Sequence, residues 1–458
     1  MANTSYSERI QQGFIEHVDE SKLLDCMRCG FCLPSCPTYI HSNFDESQSP
    51  RGRIALMKAV RDGLVPFDDS VEESLDMCLG CRACEPACPA GVEYGSLLES
   101  AREVIQKEKK KSVKEKFARK VAFEHLFKEP EKMSKTVGLV RFYQKSGLQK
   151  LSRKTHVLSL FPTILKDMES VLPEIEKKNL TVMRGMVFEA KKKATKVAFF
   201  TGCLMETIFS KTNKATVQIL QQLGCDIVVP QNQVCCGALQ GHSGELENAR
   251  ENARRNIDSF LAEEIDYIVN NAGGCGAFLS EYNHLLKDDK EYMEKAKRFS
   301  EKIIDITSLI YKLGITKLPL ANKKGSLTVT YQDSCHLRNV NGVITEPREI
   351  LQSIENVNYI ELKGADQCCG SAGIYNLIHS EMSMKILDTR MENVQHTNAH
   401  IIITTNPGCL LQMKVGIERA NLTGKIEALH LIDFLYDYVL DEGKLSLDSR
   451  KKEQISIN

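Results

Sequence analysis

The sequence predicts a multi-domain chain in which a helical N-terminal domain precedes a duplicated α/β cysteine-rich region. Two observations carry that expectation. Near-identical cysteine runs, CMRCGFCLPSCP at Cys26–Pro37 and CLGCRACEPACP at Cys78–Pro89, stand in a stretch whose apolar residues recur at helical spacing. From Lys196 onward, short β-branched or aromatic runs alternate with helical patterns, and the same order of cysteines appears twice.

The totals narrow the function classes. A chain of 458 residues has room for two to four domains at about 100–200 residues each. Lysine plus arginine equals aspartate plus glutamate at 60 each, so the basic excess of a nucleic-acid binder is missing and no nucleic-acid partner is expected. Seventeen cysteines are the outlying number. The N-terminal MANTSYSERIQQGF lacks the apolar core of a secretory signal, and no run approaches the roughly 18 apolar residues of a membrane helix. The expected setting is therefore a reducing cytoplasm, where clustered cysteines act as metal ligands rather than disulfides. Peripheral attachment to the inner face of a membrane through a partner stays open.

Residues 1–100 form the first expected domain. ERIQQGFIEHV and SKLLDC read as helix leading into the first cysteine run, and RGRIALMKAVRDG (Arg51–Gly63) and SVEESLDMC (Ser70–Cys78) as two more. Both cysteine runs fit C-x2-C-x2-C-x3-C-P, in which three thiolates hold one [4Fe–4S] cluster and the fourth serves the other. That crossover assigns Cys26, Cys29, Cys32 and Cys88 to one cluster, and Cys78, Cys81, Cys84 and Cys36 to the second. Zinc is the alternative, but a zinc site uses only four thiolates, whereas two complete runs supply eight.

Residues 101–195 contain no cysteine and read as a helical bridge, in which AREVIQKEKKKSVKEKFARKVAFEHLF is one lysine-rich helix and EPEKM and FPTIL supply breaks. Its charged face suits water first, and an acidic partner or a membrane surface second.

Residues 196–320 and 321–445 form the two repeats, followed by a polar tail at 446–458. In the first repeat, VAFFTGC delivers Cys203; helix TNKATVQILQQLG, strand CDIVVP and the pair Cys235–Cys236 follow. Another helix and strand DYIVNN then lead to Cys275. In the second, SLTVTYQDSC delivers Cys335, strand NYIEL precedes Cys368–Cys369, and HIIITT precedes Cys409. Separations of 132, 133 and 134 residues relate Cys203 to Cys335, Cys235 to Cys368 and Cys275 to Cys409, which argues for duplication. Strand–helix alternation implies parallel sheets with sites beyond the strands' carboxyl ends. Cys203, Cys235, Cys236 and Cys275 are thus expected to converge as one metal site, and Cys335, Cys368, Cys369 and Cys409 as another. LHLIDFLYDYVL near the end reads as an amphipathic packing helix.

The 41 residues between Cys36 and Cys78 are too many for a minimal bacterial ferredoxin. The first domain instead resembles the α-helical ferredoxin domain of succinate dehydrogenase iron–sulfur subunits and heterodisulfide reductases. The whole order, together with SPRGRI, GALQGHSGE, CCGSAGIYN and NPGC, resembles the glycolate oxidase iron–sulfur subunit family. More broadly it resembles the CCG proteins of heterodisulfide reductase, anaerobic glycerol-3-phosphate dehydrogenase and lactate-utilisation systems. One departure stands out: where heterodisulfide reductases carry a fifth cysteine in each repeat, this chain has Phe278 and Gln412. Four thiolates per repeat suit an ordinary [4Fe–4S] cluster or a zinc ion, and weaken any disulfide-cleaving role.

The resemblance implies an iron–sulfur electron-transfer subunit of a flavin-dependent 2-hydroxy-acid oxidoreductase, first of all one converting glycolate to glyoxylate. Substrate oxidation would sit on an FAD-linked oxidase partner, and electrons would pass to a quinone or another acceptor. Lactate or glycerol 3-phosphate systems, or a heterodisulfide-reductase-like catalytic subunit, are the alternatives. No G-x-G-x-x-G or P-loop appears, so neither flavin nor NAD is expected on this chain, and no residue is assigned to catalysis. Among single residues, Cys225 reads as a small core hydrophobe. His242, His336 and Asp333 read as solvated or as partners of the cysteine sites, and Arg51 and Arg53 as helix-start charges or groups acting on a cluster.

Overall fold

The computed structural model describes residues 5–121, 130–155, 183–190, 195–440 and 449–451, together with 166, 169–173 and 175. FPTIL, the last residues of the expected lysine-rich helix and most of the polar tail lie outside them.

Helix α1 (Tyr6–His17) begins where Ser5 and Glu8 cap each other's backbone, at 3.2 and 2.7 Å. Its Ile10 and Phe14 meet α2 (Pro50–Arg61), α3 (Asp69–Asp76) and α4 (Tyr94–Glu108) around Met57, Val60, Leu75, Leu97 and Val104. The SPRGRI wording has a local explanation. Ser49 caps the Gly52 N–H at 2.9 Å, and Pro50 supplies a helical φ where no N–H is needed. A side chain at Gly52 would strike the Glu46 carbonyl at 1.9 Å. The eight N-terminal cysteines sit on the loops flanking these helices, with Asp68 capping α3 just before Cys78.

The lysine-rich stretch is not one helix. The Lys109 ammonium pairs with Glu72 as α4 ends. Ser112 then accepts from the Glu115 N–H at 3.1 Å, which restarts the chain as α5 (Val113–Arg119). At EPEKM, where a break is expected, Pro130 opens a new helix, α6 (Pro130–Lys145).

The first repeat contributes β1 (Met186–Phe188), β2 (Thr195–Phe199), α7 (Ser210–Gln222), β3 (Cys225–Val228), α8 (Leu246–Leu261), β4 (Tyr267–Asn270), α9 (Gly273–Ser280), β5 (Ile303–Asp305) and α10 (Ile306–Lys312). The second contributes β6 (Leu327–Tyr331), α11 (Cys335–Asn339), α12 (Glu346–Gln352), β7 (Val357–Tyr359), α13 (Ser380–His396), β8 (Ile401–Thr404), α14 (Pro407–Arg419), β9 (Glu427–His430) and α15 (Leu431–Phe434). A last strand, β10 (Ser449–Lys451), pairs antiparallel with β1, which is itself antiparallel to β3.

The two sheets run β10-β1-β3-β2-β4-β5 and β7-β6-β8-β9. In β3-β2-β4-β5 and in β7-β6-β8-β9 every neighbour pair is parallel. Both units thus have the order second, first, third, fourth, the same topology twice. Side-chain alternation decides which faces meet. Val197 and Phe199, with Val269, Val329, Tyr331, Ile401 and Ile403, enter one core shared by both sheets and by helices α7, α10, α12 and α15. Ala198, Phe200 and Ile268 point the other way, towards α8 and Phe278. Burying a side chain such as Phe199 fully is worth about 1.5–3 kcal/mol, so this common core binds the repeats firmly to each other.

LHLIDFLYDYVL is mixed rather than wholly helical. Leu429 and His430 close the parallel strand β9, and Leu435–Val439 forms a π-helical turn after α15. Strand pairing of Leu429 with Ile403 and of His430 with Thr404 holds that first part extended.

Candidate functional site

Every repeat cysteine expected at a site lies beyond the carboxyl end of a strand. Cys203 follows β2, Cys235 and Cys236 follow β3, and Cys275 follows β4; Cys335, Cys368, Cys369 and Cys409 follow β6, β7 and β8. Parallel strands carry their carboxyl ends on one edge, so residues far apart in sequence arrive together.

In the first repeat the Cys203 and Cys235 sulfurs are 3.8 Å apart, and Cys236 touches both Cys235 and Cys275. In the second, Cys335 touches Cys368, Cys368 touches Cys369, and Cys369 touches Cys409. Gly237 and Gly370, after the two cysteine pairs, have φ of 90° and 89°, a left-handed turn that glycine accepts freely. A Cβ at Gly370 would also lie 2.7 Å from the Ser383 carbonyl.

The two sets are not separate pockets. Both line one cavity of about 470 Å³, together with Cys78, Arg102, His242 and His336. Asn406 bridges them, accepting from the Gly274 N–H at 3.0 Å and approaching the Cys409 sulfur with its Nδ2 at 3.6 Å.

Phe278 and Gln412, which stand in place of fifth cysteines, are both built into the core. The Phe278 ring packs on Gly237, Gly241 and Tyr282. The Gln412 amide donates to Ser383 at 3.1 Å and accepts from Asn376 at 3.1 Å.

The N-terminal cysteines divide by exposure. Cys29 is exposed, and Cys26, Cys32 and Cys88 are half-buried; Cys36, Cys78 and Cys84 are buried and Cys81 is half-buried. The loop carrying Cys78 and Cys81 docks on the second repeat. His336 Nε2 meets the Gly80 carbonyl at 2.7 Å, Asn339 donates to the Cys81 carbonyl at 2.9 Å, and Tyr375 donates to the Met77 carbonyl at 3.1 Å. Cys81, Cys335 and Cys368 belong to one apolar cluster with Leu79 and Tyr375. On the first repeat, Glu99 pairs with His242 at 3.1 Å and Arg119 with Glu245 at 2.8 Å.

Electrostatics test whether the thiols suit a metal core. Contact with Cys235 and burial push the Cys203 thiol well up, and contact with Cys368 and burial do the same to Cys335. Burial first, then neighbouring thiols, raises Cys81 and Cys84. Burial raises Cys32 to about 11. Packed this closely, such thiols resist ionising together unless a positive core shares their charge, and an iron–sulfur core supplies it. Cys78 differs: burial opposes its charge, but the Arg53 and Arg102 guanidiniums and the Tyr94 hydroxyl outweigh burial and hold it below the ordinary range. Among the described residues no three His, Cys, Asp or Glu side chains are drawn tightly enough for one bare ion.

The remaining singled-out residues have structural partners. Cys225 is fully buried at the start of β3. Asp333 is held by Arg338 and Arg348, each at 3.0 Å. Arg51 pairs with Glu46 at 2.7 Å. Sequence reasoning passed over Tyr94 and Arg102, which reach Cys78 from α4: the Tyr94 hydroxyl lies 3.5 Å from its sulfur and Arg102 donates to its carbonyl at 2.7 Å. Only their spacing of two turns on one helix could have hinted at it.

Comparison with known proteins agrees with this geometry. A 4Fe-4S dicluster domain matches residues 22–92, and a cysteine-rich domain matches twice, at 197–280 and 329–414. The linker region of the glycolate oxidase iron-sulfur subunit matches 114–172. The probable glycolate oxidase iron-sulfur subunit of Bacillus subtilis is 52% identical over 438 residues, covering 95% of this chain and 98% of the relative. The glycolate oxidase iron-sulfur subunit of Escherichia coli is 28% identical, covering 89% and 93%. Lactate utilization protein A of Bacillus licheniformis is 31% identical over 240 residues, covering 52% of this chain and 98% of the relative. Two cysteine runs on a helical domain, docked on a twice-repeated cysteine-rich fold, place this chain in the glycolate oxidase iron–sulfur subunit family of oxidoreductase subunits.

Proposed function

We infer that this chain carries electrons in a flavin-dependent 2-hydroxy-acid oxidoreductase, with glycolate, oxidised to glyoxylate, as first substrate. The oxidation itself belongs to a separate FAD-linked oxidase subunit, and the electrons leave to a quinone or another acceptor. Cys26, Cys29, Cys32 and Cys88 hold one [4Fe–4S] cluster, and Cys36, Cys78, Cys81 and Cys84 the other. Each repeat holds one further iron–sulfur centre through its four thiols. When bound, such clusters supply one-electron carriage between a two-electron flavin and its acceptor.

The observation that carries this reading is the placement of Cys81 against Cys335 and Cys368. The inner N-terminal thiol set thereby adjoins the thiols of the second repeat, which share a cavity with those of the first. The chain's own residues do the positioning: His336, Asn339 and Tyr375 fix the docking loop, and Asn406 fixes the spacing of the two repeat sets. Among the described residues no helix is long and apolar enough to cross a membrane; this reading places any membrane attachment at the periphery, through a partner.

A second reading, a lactate-oxidising system, is favoured by the lactate utilization relatives alone. The discriminating experiment co-expresses the chain with a glycolate-oxidase-type FAD-linked subunit and adds glycolate, lactate or glycerol 3-phosphate anaerobically. Glycolate should bleach the iron–sulfur absorbance fastest. Bleaching only by lactate moves the assignment to the second reading, and turnover by the chain without the flavoprotein overturns the electron-carrier role. Iron and sulfide should exceed about eight of each per chain, the content of two [4Fe–4S] clusters; zinc without sulfide would overturn the cluster assignment.

A further inference from the structure

Arg53 is completely buried. It reaches that position because Ser49 and Pro50 start α2 and Gly52 lets the helix press against the Glu46 carbonyl. Its Nε donates to the Ser74 carbonyl at 2.6 Å, and its Nη2 donates to Thr38 Oγ1 at 3.1 Å and Gln48 Oε1 at 2.9 Å. All three acceptors are neutral. Nη1 has no hydrogen-bond partner among the described residues. A buried guanidinium with neutral acceptors and an idle donor is strongly unfavourable unless an anion completes its surroundings. The acidic groups close to it are the Cys78 thiol, the Tyr94 hydroxyl and the Cys36 thiol, the last also within hydrogen-bond reach, and of these the two thiols become anionic when they hold a metal centre.

We propose that Arg53 is the fixed counter-charge of the centre held by Cys36, Cys78, Cys81 and Cys84, and that it raises that centre's reduction potential. The inference rests on the reading that these four thiols hold a cluster. Reducing an iron–sulfur centre adds one negative charge, and a buried cation that cannot lose its proton stabilises the reduced form. Neutral donors act in the same direction at the Cys78 sulfur, which Tyr94 OH and Gly80 N–H approach at 3.5 and 3.4 Å. Burial alone would make the inner centre harder to reduce than the one near exposed Cys29. Arg53 and its companions oppose that penalty, which keeps the inner centre able to accept an electron from the outer one.

The test is an anaerobic redox titration of the reconstituted full chain followed by electron paramagnetic resonance. Loss of one signal in Cys29→Ser marks the outer centre. Arg53→Gln should move the inner signal alone to lower potential, Arg53→Lys should restore most of the native value, and Tyr94→Phe should shift the same signal by a smaller amount. An unshifted inner signal in iron-replete Arg53→Gln, or an equal shift of both signals, overturns the role of Arg53. If Arg53→Gln fails to take up iron, Arg53→Lys and Tyr94→Phe decide: an inner-centre potential in Arg53→Lys lowered further than in Tyr94→Phe, despite the retained charge, overturns the counter-charge role, and a native potential in Tyr94→Phe overturns the donor set. If the native chain yields no four-iron signal, the cluster reading itself falls, and the inference with it.

Discussion

Asn406 joins two cysteine sets that the chain places more than a hundred residues apart. Its Oδ1 accepts from Gly274 N–H at 3.0 Å, beside Cys275, while its Nδ2 approaches the Cys409 sulfur at 3.6 Å. One side chain therefore sets the spacing between the two halves of the cavity. Asn406→Ala removes both contacts and should cost about 1 kcal/mol of stability, read as a lower denaturant midpoint. It should also perturb the spectra of both repeat centres while leaving the N-terminal clusters unchanged.

Gly370 is the more severe lesion. A methyl there meets the Ser383 carbonyl at 2.7 Å, and alanine resists the φ of 89°. Together these effects should cost roughly 2–4 kcal/mol. The strain falls directly on Cys368 and Cys369, so Gly370→Ala should lose metal from the second repeat first. Iron analysis of the purified variant, set against an intact N-terminal cluster spectrum, checks this.

Asp305 caps α10 by accepting from Thr307 N–H at 2.7 Å, but its Oδ2 is buried without a partner. Burial raises its carboxyl to about 7. The folded protein therefore keeps a proton that the unfolded chain releases near the ordinary carboxylate range, so this group lowers stability as pH rises from about 4 to 7. Asp305→Asn keeps the cap and removes the charge. Thermal melts should show the variant more stable than the parent at pH 8, by an amount on the order of 2–4 kcal/mol, and equal to it near pH 4.

His430 occupies the matching strand-to-helix position in the second repeat and titrates in the opposite sense. Its Nε2 meets the Asn271 carbonyl at 2.9 Å and its Nδ1 accepts from Ile432 N–H at 3.1 Å, so the neutral ring uses both nitrogens. Burial lowers it to about 4. Its contribution is complete above the ordinary histidine value of about 6.5 and is lost as pH falls from there to 4. Acid unfolding followed by circular dichroism should begin in that window, and His430→Asn, which still caps the helix, should flatten it.

Much of this was legible in the sequence. Two complete C-x2-C-x2-C-x3-C-P runs name a chemistry because ligand spacing is local, and spacings of 132 to 134 residues reveal the duplication without any structure. The short apolar runs in VAFF and HIIIT located the central strands, since a strand covered on both faces carries apolar residues at successive positions. The short strands β5 and β9 escaped notice: they lie on the far sides of their sheets and are only three and four residues long. The lysine-rich stretch was read as one helix because nothing in its periodicity shows Ser112 restarting the chain after Lys109 pairs with Glu72.

The sequence by itself determined which atoms this protein offers to a metal and that it offers them twice. Tertiary structure alone decided that both repeat sets face one cavity, that Cys81 lies against Cys335 and Cys368, and that Arg53 is buried beside Cys36 and Cys78. The physical reason is range. Ligand motifs, caps and strand alternation are set by neighbours along the chain. Burial, thiol–thiol contact and the charge felt by a sulfur depend on residues that meet only after the sheets and the helical domain have packed.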